Sequence, residues 1–108
     1  MELTEFERAI LDRIWKEQPE IRTPLEDLPV VAREYTPCGC YTDFETDNPE
    51  RPQTRHVGID LIEVPGVENG MCAILILREW QPLSLELVTF GGEAWDGGFE
   101  GFEIRGAG

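Results

Sequence analysis

Residues 55–90 read RHVGIDLIEVPGVENGMCAILILREWQPLSLELVTF, and this stretch decides the fold. Val57, Ile59 and Leu61 alternate with Gly58, Asp60 and Ile62, which is the two-residue period of a strand. Met71 to Leu77 is apolar almost throughout, as suits a central strand covered on both faces. Leu83, Leu85 and Leu87 alternate with Ser84, Glu86 and Val88, the pattern of a half-buried strand. Pro65-Gly66 and Asn69-Gly70 are turn dipeptides on either side of Val67-Glu68, and Gln81-Pro82 marks a further turn. Strands are therefore expected at about 56–64, 71–78 and 83–90. Connections this short favour an antiparallel meander, because parallel pairing needs crossovers of a dozen or more residues.

Working outward, Val30–Tyr35 and Cys40–Glu45 also follow the strand period and are joined through Thr36-Pro37-Cys38-Gly39, giving strands at about 30–35 and 40–45. Residues 4–17 predict a helix. Thr4 and Glu7 form an S/T-x-x-E capping box, and Phe6, Ile10, Leu11, Ile14 and Trp15 make one apolar stripe. Glu5, Glu7, Arg8, Asp12, Arg13 and Lys16 are then mostly outward, and Pro19 stops the helix. A second box at Thr23 and Glu26, with Pro24 at the first helical position, predicts a short helix over 24–28 closed by Pro29. Residues 47–54 (DNPERPQT) hold two prolines and no apolar side chain and read as a mobile loop. The segment 91–108 is rich in glycine and aromatics, and Phe102 to Arg105 is placed as a short edge strand. The whole is one α+β domain over 1–108: an antiparallel sheet of four to six strands with the N-terminal helix packed on one face.

The 108 residues carry 22 acidic against 9 basic side chains, a formal net charge of -13. Nucleic-acid backbone and anionic lipid are disfavoured as partners, since both would be repelled; a basic protein is permitted. Three cysteines, an odd number, fit a reducing compartment better than a disulfide framework. Met1-Glu2-Leu3-Thr4-Glu5 lacks the basic and apolar regions of a signal peptide, and the run Met71–Leu77 is far too short to span a bilayer. A cytoplasmic location is expected.

The combination Arg33-Glu34-Tyr35-Thr36, Gly39-Cys40-Tyr41-Thr42-Asp43-Phe44, Pro65-Gly66-Val67-Glu68-Asn69-Gly70 and Thr89-Phe90-Gly91-Gly92-Glu93-Ala94-Trp95 resembles a family of small uncharacterised bacterial proteins. The resemblance spans helix 1 to Trp95. Its motifs are turn and strand signatures, so it implies a fold and carries over no activity, cofactor or catalytic residue. The chain departs from the family pattern at Glu79-Trp80-Gln81-Pro82, where a tighter Asp-Gly turn is expected.

No motif names a reaction. Cys38, Cys40, Cys72 and His56 supply the ligand types of a Cys3His zinc set, but C-x-C spacing is atypical and no paired knuckle follows. Cys72 reads as a small core residue. His56 is a candidate general base oriented by Asp43 or Asp60, yet no nucleophile motif accompanies it. Gly91-Gly92 and Gly97-Gly98 match neither G-x-G-x-x-G nor a P-loop. No cofactor or metal is expected.

Asp43, Glu45 and Asp47 alternate at steps of about 7 Å and suit arginines on a partner, a divalent cation, or a plain solvated strand face. Trp95, Phe99 and Phe102 beside Glu93, Asp96, Glu100 and Glu103 either close the open end of the sheet or form an aromatic anchor with an acidic rim. The candidate partner-binding residues are thus Asp43, Glu45, Asp47, Trp95 and Asp96. The leading expectation is a non-enzymatic binding module of immunity or inhibitor type for a basic protein. A small enzyme or metal protein built on His56 is the alternative, and a homodimer is compatible with the first.

Overall fold

The computed structural model describes residues 1–21, 25, 28–45, 55–78 and 80–106. The predicted short helix over 24–28, with its box at Thr23 and Glu26, and the loop 47–54 lie outside the described residues, apart from Leu25 and Leu28, which are buried.

Thr4 caps the helix as its spacing predicts. Its hydroxyl accepts from the Glu7 amide at 3.1 Å, and the Glu7 carboxylate accepts from the Thr4 amide at 2.8 Å. Helix α1 runs Glu5–Glu17 and buries Phe6, Glu7, Ile10, Leu11 and Ile14. Thr4→Ala should cost about 1 kcal/mol through the lost cap. Denaturant unfolding measures it, and an unchanged midpoint would mean the hydroxyl contributes nothing.

Six strands follow among the described residues: β1 (Val30–Thr36), β2 (Gly39–Phe44), β3 (Arg55–Val64), β4 (Val67–Arg78), β5 (Gln81–Thr89) and β6 (Glu103–Gly106). They form one antiparallel sheet in the order β1-β2-β5-β4-β3-β6. The expected meander holds from β3 to β5, while the β1–β2 hairpin docks on the far side of β5 and β6 closes the other edge. Among the described residues no helix is long and apolar enough to cross a membrane.

The register divides the sheet into two faces, because directly paired residues share a face. One row runs Val57, Leu75, Leu85, Thr42, Arg33, and another runs Ile59, Ala73, Leu87, Cys40, Tyr35. These rows lie on the α1 side, and their buried members Leu75, Leu85, Ile59, Ala73, Leu87 and Cys40 form the core with Phe6, Ile10, Leu11 and Ile14. The intervening rows face away. They run His56, Ile76, Ser84, Asp43, Ala32 and Gly58, Ile74, Glu86, Tyr41, Glu34.

Several boundaries differ from the sequence reading for identifiable reasons. Three steps of β3 (Ile59 to Ile62) oppose two of β4 (Ala73 to Met71), a bulge that reverses the alternation. Ile62 is consequently in the core at 0% exposure and Leu61 is outside at 36%. Asn69-Gly70 is not a second turn. Val64 pairs with Val67 and Ile62 with Met71, so β4 starts at Val67 and absorbs its extra residues in a bulge at Gly70, whose φ is +77°. The turn is Pro65-Gly66 alone, with Gly66 at φ +93°. Arg78 pairs with Gln81, so the β4–β5 connection is tight without an Asp-Gly pair, and Trp80 adopts φ +66° beneath the Arg55 guanidinium. Met71–Leu77 is covered on one face only among the described residues: Cys72, Ile74 and Ile76 are half-buried, and no second layer of helix or strand lies over them.

Candidate functional site

Among the described residues, one face of the sheet is left without a covering layer of helix or strand. Its middle is an apolar column on β4, Cys72, Ile74 and Ile76, with Val88 beside it on β5. Glu86 pairs with Ile74 and with Tyr41, Asp43 pairs with Ser84, and Glu34 pairs with Tyr41. The Glu86 carboxylate, hydrogen-bonded to the Tyr41 hydroxyl, pushes that phenol above its usual pKa. His56 and Asp60 stand exposed on the β3 side. The Cys72 thiol is pushed up chiefly by burial and then by Glu86 and Asp60. An apolar centre is therefore flanked by carboxylates on both sides.

The residues singled out from sequence are distributed as follows. Asp43 lies on this face, exposed. Glu45 follows β2, exposed, with its amide donating to the Pro29 carbonyl at 3.0 Å. Asp47 lies outside the described residues. Trp95, expected as a partner anchor, turns inward: it is 9% exposed, 6.2 Å from Phe6 between ring centroids, and its indole N–H donates to the Gly98 carbonyl at 2.8 Å. The physical reason is that Phe6, Phe99 and Phe102 already form an apolar bed there, so the indole gains more by joining it than by facing water. Asp96 stays exposed and accepts from the Gly98 amide at 2.8 Å, which shapes the turn after Trp95.

The catalytic and zinc constellations do not assemble. Cys40 points into the core at 2% exposure, whereas Cys72 lies on the opposite face of the same sheet. Among the described residues no three His, Cys, Asp or Glu side chains gather as a metal site. His56 and Asp60 are four residues apart on β3, about 13 Å along a strand. Asp43 is in the row of His56 but three strands away, about 14 Å. A general base and its orienting carboxylate must lie within about 3 Å. The Cys72 thiol, held protonated by burial and by carboxylates, is a poor nucleophile.

A second cluster is structural. Glu7, expected to face outward, is 2% exposed. Its carboxylate accepts from Arg33 Nε at 3.1 Å, Arg33 Nη2 at 2.5 Å, Thr42 Oγ1 at 2.5 Å and the Thr4 amide. Burial alone would raise its pKa, but these donors outweigh it and hold the carboxyl below the usual range. Every favourable acceptor position is filled, so Glu7 locks α1 to β1 and β2 and is not placed to take a proton from a substrate.

Comparison with protein-family models, with curated proteins and with solved structures finds no match for this chain.

Sequence reasoning missed Tyr41, Glu86, Gly58 and Phe90 as parts of the open face. The signal was present for Glu86, since it sits on the polar side of the β5 alternation. It was absent for Gly58, which meets the face only through cross-strand register, and for Phe90, which reaches it from the turn after β5.

Proposed function

We propose that this chain is a non-enzymatic protein-binding module, of immunity or inhibitor type, whose open sheet face receives a basic partner. The observation that carries the reading is the apolar column Cys72–Ile74–Ile76 with Glu86 on the adjoining strand, Asp43 and Glu34 further out on the same face, and Asp60 on the β3 side. An apolar centre with a charged rim is how protein interfaces are commonly built. The net charge of -13 adds long-range attraction for a basic surface, which raises the rate of encounter and makes it salt-sensitive. The same charge works against a homodimer through this face, since two copies would bring like rims together. A reducing compartment, the cytoplasm, suits three free thiols.

The test compares tagged wild type with the double variant Asp43→Lys, Glu86→Lys in lysate of the source cell. Capture at low salt and elution along a salt gradient should release a basic protein from the wild type. The reversed charges should weaken its capture on the order of 10-fold or more, with circular dichroism showing an intact fold. Equal capture by both proteins, or no basic protein on the wild type, would sink the reading.

A further inference from the structure

The open face contains a depression of about 500 Å³ over β3 and β4. Its floor is Gly58. A Cβ at this position would stand 2.1 Å from the Ala73 carbonyl oxygen, so the close approach of β4 forbids any side chain there. The hollow is therefore a built-in consequence of strand packing. Half-buried Cys72 and Ile74 wall it, Phe90, a residue 40% exposed, lines it, and the exposed Asp60 shares its lining. Glu86 stands across Ile74 on the neighbouring strand.

We infer that this hollow is a socket for an arginine side chain of the partner, an inference that rests on the binding-module reading. His56 also lines the hollow; arginine matches the apolar walls, the carboxylate and the aromatic ring. Its methylene stem covers Cys72 and Ile74, which gain by losing water. Its guanidinium reaches the rim, where Asp60 offers two oxygens in the planar geometry that a guanidinium matches. The exposed Phe90 ring adds an aromatic surface that attracts a weakly hydrated cation. A purely apolar side chain would fill the floor but strip water from Asp60 and Glu86 without replacing it. Phosphate or carboxylate would meet two like charges.

The probe is the capped tripeptide acetyl-Gly-Arg-Gly-amide, titrated against the 15N-labelled protein by NMR. Saturable shifts should concentrate at Gly58, Asp60, Cys72, Ile74 and Phe90, and the matching norleucine peptide should leave those signals in place. Asp60→Asn and Phe90→Ala, both at exposed positions, should each weaken binding about fivefold or more. Shifts that never saturate and spread over the acidic surface would overturn the socket, as would Asp60→Asn binding like wild type. The captured partner separates this inference from the reading beneath it. Loss of the partner from Asp60→Asn supports the socket. Undiminished capture by Asp60→Asn, alongside loss from the Asp43→Lys, Glu86→Lys variant, overturns the socket and leaves the binding module. Saturable peptide binding with no basic protein captured sinks the partner reading and leaves the socket.

Discussion

Glu7→Ala should destabilise the protein by about 3 to 5 kcal/mol, the loss seen when one member of a buried ion pair is removed. Arg33 has a side chain only 13% exposed, and its guanidinium donates twice to Glu7. Without the carboxylate that charge is left beside the core, with the Glu2 carbonyl as its remaining acceptor among the described residues. Thr42, at 0% exposure, loses its acceptor, and the capping box loses its second half. Urea unfolding measures the loss, and less than about 1 kcal/mol would show that the pair is not integral. The double replacement Glu7→Leu, Arg33→Met should recover much of the deficit, because an apolar pair of similar volume avoids the desolvation cost that the ion pair carries.

The same carboxylate sets a pH dependence. Its pKa in the fold is lower than in the unfolded chain, so the folded state binds fewer protons and stability rises with pH across that interval. The contribution is complete above the unfolded value of about 4.3 and fades as pH falls through the folded one. Glu93 acts in the same direction, since the Asn69 and Glu68 amides donate to its carboxylate and lower its pKa. The midpoint of thermal unfolding should therefore fall on acidification below about pH 4.3. The double variant Glu7→Leu, Arg33→Met, which lacks the buried carboxylate, should show a blunted acid limb.

Phe6→Ala is the second large effect, also about 3 to 5 kcal/mol. Phe6 is 1% exposed and is the hub of the aromatic bed. Its ring stacks on Phe99 at 5.3 Å and tilts against Phe102 at 4.8 Å and Trp95 at 6.2 Å. Removing it opens a cavity and loosens the anchor by which residues 93–102 are held against α1. Two readouts apply: the denaturant midpoint, and amide exchange at Trp95 and Phe102, whose N–H groups bond to the Pro37 and Phe99 carbonyls. Exchange there should quicken more than in β4. A loss below about 1.5 kcal/mol would mean that the neighbouring rings close the gap.

How much was readable in advance differs from element to element. The cap at Thr4, the stripe of α1 and the meander of β3 to β5 were legible because each depends on residues close in sequence. The face of Leu61 and Ile62 was not. Alternation predicts Leu61 inward, and a bulge set by pairing with β4 turns it outward. The fate of Glu7 was hidden for a related reason. A carboxylate on a helix reads as solvent-facing until Arg33 and Thr42, 26 and 35 residues away, are brought beside it. Trp95 and Asp43 show the same limit at the surface. Both are candidate partner residues by type, but only packing shows that one ring belongs to the core and one carboxylate to the open face.

The sequence by itself determined the class, an N-terminal helix packed on an antiparallel sheet, together with the acidic character of the surface. Periodicity, capping and charge are local or summed quantities, and they need no knowledge of what lies across a strand. Tertiary structure alone decided which face of the sheet has no covering layer among the described residues, which carboxylates stand on it and which one is buried. It also decided that Gly58 leaves a hollow between them. Those outcomes follow from cross-strand register and from contacts between distant residues, where a shift of one position exchanges core for surface.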